Sequence, residues 1–285
     1  MALNRVMDGV AARAAEPARS ALHHRLGTLE LLDEGGLYLL DALVDEPRCL
    51  PAGTLLQEEG VSSTRTWFLL EGWAATQQTL RDGSRQIINL LVPGDSVGLF
   101  SALFPTANST MELLTDARLA TVEAPVLVEL FRESPSLGAA LCWLGGCDER
   151  VLEQQVVRVG RLDAVRRIAH LLLELHVRLR LGGASELEAC ALPVTQAVIA
   201  DALGMSHVHA NRSCRRLQRL GLIETAGGQL LLRDRHGLAD YSGFDAAYVR
   251  GRGIDPAIGE RVWAAGEATA PDPGQHRLRR DARTS

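Results

Sequence analysis

The sequence predicts an α+β protein: an antiparallel, jelly-roll-like β-barrel, then a long helix suited to dimerisation, then a winged helix-turn-helix domain. Between about residues 50 and 131, short apolar runs alternate with turn signals, as in antiparallel barrels. From residue 134 the apolar residues recur at spacings of three and four, which indicates helices. Residues 192–234 contain two short helical patterns joined at a glycine and followed by a hairpin pattern. A chain of 285 residues, 46% of them hydrophobic, is long enough for two globular domains.

Changes in this pattern divide the chain into five parts. We expect an N-terminal helical segment over residues 1–45, the barrel over 46–133, the dimerisation helix over 134–160, the winged helix-turn-helix domain over 161–246 and a mobile tail over 247–285.

The barrel is predicted from its strands and its turns. Apolar runs at 67–70, 86–92 and 117–122 are candidate strands, and the Asp82-Gly83 dipeptide between two such runs is a strong hairpin signal. The turns of this domain contain seven residues that we expect to shape it: Gly72, Asp82, Gly83, Pro93, Gly94, Asp95 and Gly98.

The long helix is predicted to begin at Ser134-Pro135, because proline suits the first turn of a helix. Gly145-Gly146 is expected to weaken or bend it. An apolar stripe along this helix suits pairing with the same helix of a second subunit, and packing on the chain's own barrel is the alternative. The stripe comprises Leu137, Leu141, Leu144, Leu152 (or Val151), Val156 and Val159.

The C-terminal domain is predicted from helix caps. Asp163 begins an amphipathic helix that Gly182-Gly183 ends, and its buried face is expected to be Ile168, Leu171, Leu172 and Leu175. Thr195-Gln196 begins the first short helix, which ends at Gly204, and Ser206 caps the second. The second helix should turn Val208 or Ala210, Cys214, Leu217 and Leu220 inward. Two strands around Gly227-Gly228 follow as a wing.

Charge is distributed unevenly and favours a polyanion partner for the second half. Residues 1–160 contain 12 arginines and 21 acidic residues, a net charge of −9, whereas residues 161–285 contain 18 arginines and 14 acidic residues, a net charge of +4. The second short helix carries His207, His209, Arg212, Arg215, Arg216 and Arg219 and no acidic residue. Arginines release counterions from phosphates and can read guanine in the major groove, so this helix predicts binding to double-stranded DNA.

Composition also excludes several classes of protein. The chain contains no lysine, so a GxxxxGK[ST] phosphate loop, a Schiff-base lysine and a kinase-type nucleotide lysine are all impossible. Five cysteines without a CxxC pair argue against a disulfide framework. Neither a signal peptide nor a membrane-spanning apolar run is recognisable, which predicts a cytoplasmic protein without a membrane partner.

The segment from Val194 to Ile223 resembles the winged helix-turn-helix of the Crp/Fnr family of bacterial transcription regulators. Upstream, Gly72-Trp-Ala-Ala, residues 80–88 and Pro93-Gly-Asp95 are similar to that family's effector barrel, and residues 166–174 match the helix leading into its DNA-binding domain. The resemblance covers about residues 45–245. It implies a sequence-specific transcription regulator that binds a pseudo-palindromic operator as a homodimer and contacts RNA polymerase.

The resemblance also implies roles for single residues. His207, Val208 and Arg212 occupy the base-reading positions, and Val208 stands where a glutamate is common, which implies an altered half-site. Candidates for phosphate contact or positioning are Thr195, Gln196, Ser206, His209, Asn211, Arg215 and Arg216.

The effector is left open by the sequence. The Pro93-Gly-Asp95 turn is followed by no arginine before Arg118, which argues against tight binding of a cyclic phosphate. One cysteine before residue 142 and no histidine between His24 and His170 argue against an iron–sulfur cluster, haem or a cupin metal site, so we expect no cofactor, no metal and no enzymatic activity. Cys142 and Cys147 could form a redox switch, although buried, unreactive thiols are the commoner state. A cyclic-nucleotide-responsive regulator and a barrel that binds a protein partner remain alternatives.

Overall fold

The computed structural model describes residues 20–251 and 253–269 and confirms the predicted fold class. Two short helices come first: α1 (Ala21–Gly27) is capped by Ser20, and α2 (Glu34–Val44) is capped by Asp33. Within the expected N-terminal segment, residues 1–19 lie outside the described part of the chain.

Eight strands form two four-stranded antiparallel sheets with the orders β1-β8-β3-β6 and β2-β7-β4-β5. The predicted hairpin at Asp82-Gly83 joins β4 to β5, and the Asp82 carboxylate accepts a hydrogen bond from the Ser84 amide at 2.9 Å. The strands are β1 (Arg48–Leu50), β2 (Leu55–Gln57), β3 (Arg65–Glu71), β4 (Ala74–Thr79), β5 (Arg85–Leu91), β6 (Ser96–Val97), β7 (Thr110–Leu113) and β8 (Ala117–Glu123).

Strand β3 has a continuous apolar run instead of an alternating pattern because both of its faces are buried. Trp67 and Leu69 face the core between the two sheets, with Leu119 and Met111. Phe68 and the next alternate residue, Leu70, belong to a second core on the outside of the sheet. Both faces of the strand are therefore covered, and the outer face is covered by helices.

Helices α1 and α2 contact this sheet, together with α3 (Ala124–Glu133), and α4 (Pro135–Arg161) packs on α2 and α3. The predicted start of the long helix is confirmed, because Ser134 accepts a hydrogen bond from the Leu137 amide and Pro135 occupies the first turn. Helix α4 runs without interruption from residue 135 to residue 161, so Gly145-Gly146 does not break it. A Cβ at position 145 would overlap the Phe100 ring, which packs against the helix there.

The prediction that the first half of the apolar stripe on α4 contacts a second subunit is wrong. Leu137, Leu141 and Leu144 are each fully buried against α1, α2 and the outer face of the barrel sheet within one chain. For this part of α4 the alternative prediction is confirmed: the helix packs on its own subunit. Val151 is buried as well, whereas Leu152 and Val156 are exposed and Val159 is half-buried.

The C-terminal domain follows the predicted caps. Helix α5 (Ala164–Leu181) begins at Asp163 and buries its four expected residues, Ile168, Leu171, Leu172 and Leu175. The remaining elements are α6 (Glu186–Cys190), β9 (Ala191–Leu192), α7 (Gln196–Leu203), α8 (His207–Arg219), β10 (Ile223–Ala226) and β11 (Gln229–Leu232). The three strands form an antiparallel sheet in the order β10-β11-β9.

The expectation of a mobile tail is wrong for the described residues up to 269. After α9 (Arg235–Ser242) come α10 (Ala247–Arg250) and α11 (Pro256–Thr269), and both pack on α4. The Trp143 indole of α4 donates to the Gly253 carbonyl oxygen at 3.3 Å, and Val249 is 1% exposed. The arginines near residue 280 lie outside the described residues. No helix in the described ranges is long and apolar enough to cross a membrane.

The barrel and the C-terminal domain share one hydrophobic core. Ile87 and Leu90 of β5, and Val92 directly after that strand, pack in the same cluster as Leu172 of α5 and Leu203 of α7. The position of the helix-turn-helix relative to the barrel is therefore set by apolar packing rather than by a flexible linker.

Leu141→Glu tests the placement of the α4 stripe. Because Leu141 is fully buried within one chain, a charge there should lower the free energy of unfolding by more than about 4 kcal/mol. Urea denaturation followed by circular dichroism measures the effect, and Val128→Glu, at a residue that is 55% exposed on α3, is the control expected to keep the wild-type midpoint. A folded Leu141→Glu monomer of unchanged stability would contradict this placement.

Candidate nucleic-acid interface

Helix α8 presents a basic surface to solvent. Ala210, Cys214 and Leu217 are fully buried and attach the helix to the domain core, whereas the predicted inward residue Leu220 is 43% exposed. On the opposite face His209, Arg212, Arg215, Arg216 and Arg219 are all exposed. A helix with exposed arginines and no acidic residue attracts the phosphates on both sides of a DNA groove.

The turn before α8 aims the start of the helix outward. Gly204 ends α7 with φ at +59°, a left-handed conformation that glycine adopts without strain. Ser206 then caps α8 by accepting a hydrogen bond from the His209 amide. The predicted base-reading residues follow directly: the Val208 residue is 69% exposed, the His207 side chain is 67% exposed, and Arg212 lies one turn further on.

The candidate phosphate-contacting residues divide into two groups. Thr195, Ser206, His209, Arg215 and Arg216 are exposed. Asn211 and Gln196 are half-buried, and the Asn211 amide donates to the Gln196 side-chain oxygen at 2.5 Å. In this conformation the bond holds α7 against α8, and it leaves the Gln196 amide nitrogen and the second N–H of Asn211 unused as donors for a phosphate.

The barrel hairpin holds α7 through an ion pair. Arg85 donates from Nε and Nη2 to one Asp201 carboxylate oxygen at 2.9 and 2.8 Å. The other Asp201 oxygen lies 3.6 Å from Nε2 of His207, the first residue of α8. Gln86, next to Arg85, donates to the Ala202 carbonyl oxygen at 3.2 Å. The barrel therefore contacts the helix-turn-helix beside the first turn of α8, a contact that no sequence pattern indicated.

A small apolar patch lies on the half of α4 that extends past the barrel core. Its members are Leu152, Val156 and Val157, which are 39%, 69% and 49% exposed. Leu152 and Val156 belong to the C-terminal half of the predicted dimer stripe, and Val157 adjoins them outside it. Of the two cysteines on α4, Cys142 is exposed, and burial raises the pKa of the Cys147 thiol to about 11, which keeps it protonated and unreactive.

The predicted turn residues all lie in barrel turns. Gly72, Gly83, Gly94 and Gly98 have φ between 79° and 95°, a range that favours glycine. Asp95 differs from the others because it is 1% exposed: its carboxylate accepts from the Val92 amide at 2.8 Å and from Arg178 Nη2 at 2.6 Å.

Sequence reasoning missed the arginines that meet this turn. Arg25 of α1 and Arg178 of α5 lie beside Asp95 and are 2% and 1% exposed. Both arginines come from helices outside the barrel segment, far in the chain from the turn that they meet. A signal was present in the pattern, because Arg25 lies between Leu22 and Leu26 and Arg178 follows Leu175 at a spacing of three, on apolar stripes where a charge is unusual.

One group within the described residues has the composition of a metal site: His176, Glu186 and Cys190. The Arg235 guanidinium contacts both the Glu186 carboxylate and, at 3.3 Å, the Cys190 sulfur. Arg180 Nε lies 3.3 Å from Glu186 as well. Two guanidinium groups on the acidic ligand oppose a cation, so this cluster serves better as an ion-pair network.

Comparisons with known proteins cover both halves of the chain. A family model described as a cyclic nucleotide-binding domain matches residues 47–134, and one described as a Crp-like helix-turn-helix domain matches residues 166–241. The nitrogen fixation regulation protein FixK of Azorhizobium caulinodans is 27% identical over 173 residues, which are 60% of this chain and 69% of that protein. The transcriptional activator protein FnrA of Stutzerimonas stutzeri is 26% identical over 204 residues, 72% of this chain and 83% of that protein. The solved structure of FixK2 from Bradyrhizobium japonicum superposes with a TM-score of 0.61 at 25% identity, covering 68% of this chain and 96% of that one.

Proposed function

Since the chain belongs to the Crp/Fnr family of DNA-binding transcription regulators, we propose that it binds a pseudo-palindromic operator as a homodimer through α8 of each subunit. The observation that carries the proposal is the exposed, acid-free face of α8, which begins at a capped turn and precedes a wing. His207, Val208 and Arg212 would read base edges, and the surrounding arginines would contact phosphates.

The apolar patch of Leu152, Val156 and Val157 supports a dimer joined by α4. Apolar side chains on a helix next to the DNA-binding domain are stabilised when the same helix of a second subunit covers them. Pairing there would relate the two α8 helices by a two-fold axis. Half-site centres would then lie about one helical turn of DNA, ~34 Å, apart. A contact with RNA polymerase on operator DNA belongs to the same proposal.

Selection of bound sequences from random duplex DNA with the purified, effector-free protein tests this function. We expect a pseudo-palindrome in which the half-site differs from the family's usual consensus at the base facing Val208, because valine offers a thymine methyl an apolar contact and cannot accept a hydrogen bond. The matched control is the same selection with Arg212→Ala, which should lose enrichment at one base pair of each half-site. Enrichment of an asymmetric, single half-site would contradict the dimer, and binding that shows neither enrichment nor salt dependence would contradict DNA recognition itself.

A further inference from the structure

Unpaired buried polar atoms gather around Asp95. The described part of the chain contains seven buried side-chain nitrogen or oxygen atoms without a hydrogen-bond partner. Four of them belong to three side chains that meet at one place: Nε and Nη1 of Arg25, Oδ1 of Asp95 and Nε of Arg178. All three residues are at most 2% exposed. A buried polar group without a partner is costly, so this arrangement indicates a place that a polar species completes.

We define the Asp95 cluster as Arg25, Asp95, Asp148 and Arg178. It joins four parts of the molecule: Arg25 comes from α1, Asp95 from the barrel turn, Asp148 from α4 and Arg178 from α5. Arg25 Nη2 lies 3.9 Å from Asp95 Oδ1, and Arg178 Nη2 lies 2.6 Å from Asp95 Oδ2. Helix α5 is the first helix of the C-terminal domain, so the cluster lies at the contact between the barrel and that domain.

The charge balance of the cluster depends on Asp148. With its carboxyl ionised, two arginines face two aspartates. Burial and the nearby Asp95 carboxylate raise the pKa of Asp148 to about 7, against the lowering effects of Arg178 and Arg25. The neighbouring Glu174 lies 3.5 Å from Arg178 Nη1 and is itself paired with Arg158. The raised pKa favours the protonated form of Asp148, and in that form the positive charge of the two arginines exceeds the carboxylate charge of the cluster by one.

The unpaired atoms indicate which kind of ligand would satisfy them. The free N–H groups of Arg25 and Arg178 require an acceptor of negative charge, and arginine suits oxyanions. The free Oδ1 of Asp95 requires a hydrogen-bond donor. We propose that the Asp95 cluster binds a small oxyanion that carries a hydroxyl group, of the hydrogen-phosphate type. A fully deprotonated oxyanion such as sulfate has no donor for Asp95 and is repelled by that carboxylate.

Calorimetric titration of the full chain with inorganic phosphate, without DNA, tests the site. We expect one phosphate per chain, and no heat from sulfate at equal ionic strength. Relative to Asp148→Asn, the affinity of the unmodified protein should fall as pH rises from 6 to 8, by up to about tenfold per pH unit, because Asp148 loses its proton over that range and the second carboxylate repels the anion. Phosphate keeps a hydroxyl donor throughout this range and ionises identically in both titrations, so the comparison isolates Asp148.

Two substitutions separate this site from other phosphate-binding surfaces. Arg25→Gln should weaken phosphate binding at least about tenfold, whereas Arg132→Gln, at an arginine whose side chain is 77% exposed on α3, should leave it unchanged. Because Arg25→Gln removes a buried charge and could prevent folding, the melting temperature of the unmodified protein provides a second measurement: phosphate should raise it and sulfate should not.

Three outcomes would overturn the proposal. The first is neither heat nor a change of melting temperature up to about 10 mM phosphate, which would mean that ordered water completes the cluster. The second is equal binding of sulfate. The third is loss of phosphate binding in Arg212→Ala, which would place the ion on α8. Phosphate binding is measured without DNA and does not depend on the proposed function. A failure of phosphate binding can therefore be distinguished from a failure of operator binding.

Discussion

Val156→Glu should convert the protein to a monomer and weaken operator binding by about 10²- to 10⁴-fold, because one half-site then binds without the help of the other. Val156 is the most exposed member of the apolar patch on α4, at 69%. In a two-fold dimer joined by α4, the introduced glutamates of the two subunits would face each other without a counter-charge. Sedimentation and operator titration measure the two effects.

The fold itself should survive this change, because an exposed substitution normally shifts stability by no more than about 0.5 kcal/mol. Leu55→Glu is the matched control, since Leu55 is a large apolar residue of similar exposure, 54%, on barrel strand β2. That variant should stay dimeric and bind the operator normally. Should Val156→Glu remain a dimer with unchanged operator affinity, the subunits must associate through a surface other than the patch on α4.

Arg212→Ala and Arg215→Ala should weaken DNA binding in different ways. Arg212→Ala should cost about 1–3 kcal/mol on the operator and remove discrimination at one base pair, because a bidentate contact to guanine is lost. Arg215→Ala should weaken binding to all sequences alike and lower the salt dependence by about one phosphate contact. Titrations of operator and random duplexes at several salt concentrations separate the two results.

An exposed arginine far from α8 is the control for general charge effects. Arg132→Ala removes the same charge from a side chain that is 77% exposed on α3 and should change neither affinity nor specificity. Equal losses on operator and random DNA for Arg212→Ala would show that Arg212 contacts phosphate instead of a base, and that the base-reading assignment of this helix is wrong.

Much of the fold was predictable because its signals are local. Ser134, Asp163, Thr195 and Ser206 each cap the helix that the sequence indicated, since capping depends on hydrogen bonds within three residues. The DNA-binding candidate was equally accessible, because the exposed basic residues lie on one continuous helix. The fold class therefore followed from periodicity and turns alone.

Other features depended on partners distant in the chain. The leucines of α4 and Val156 belong to one stripe in the sequence, yet Leu141 packs inside its own subunit and Val156 is exposed. Gly145 was expected to weaken a helix and instead makes room for Phe100, which lies 45 residues away. A short helix was possible from the sequence at Ile258–Ala265, within α11, but its packing and that of α10 on α4 were not predicted, because they depend on partners far away in the chain.

The sequence by itself determined where the capped helices begin, the hairpin at Asp82-Gly83, the basic character of α8 and the absence of lysine chemistry. These properties depend on residue type and on interactions between near neighbours. Only the tertiary structure decided which part of the α4 stripe is free for a partner, how the barrel hairpin holds α7, and that Arg25, Asp95 and Arg178 meet. The physical reason is that burial, and the pairing of the charges it encloses, are set by segments up to about 150 residues apart, which no local pattern can specify.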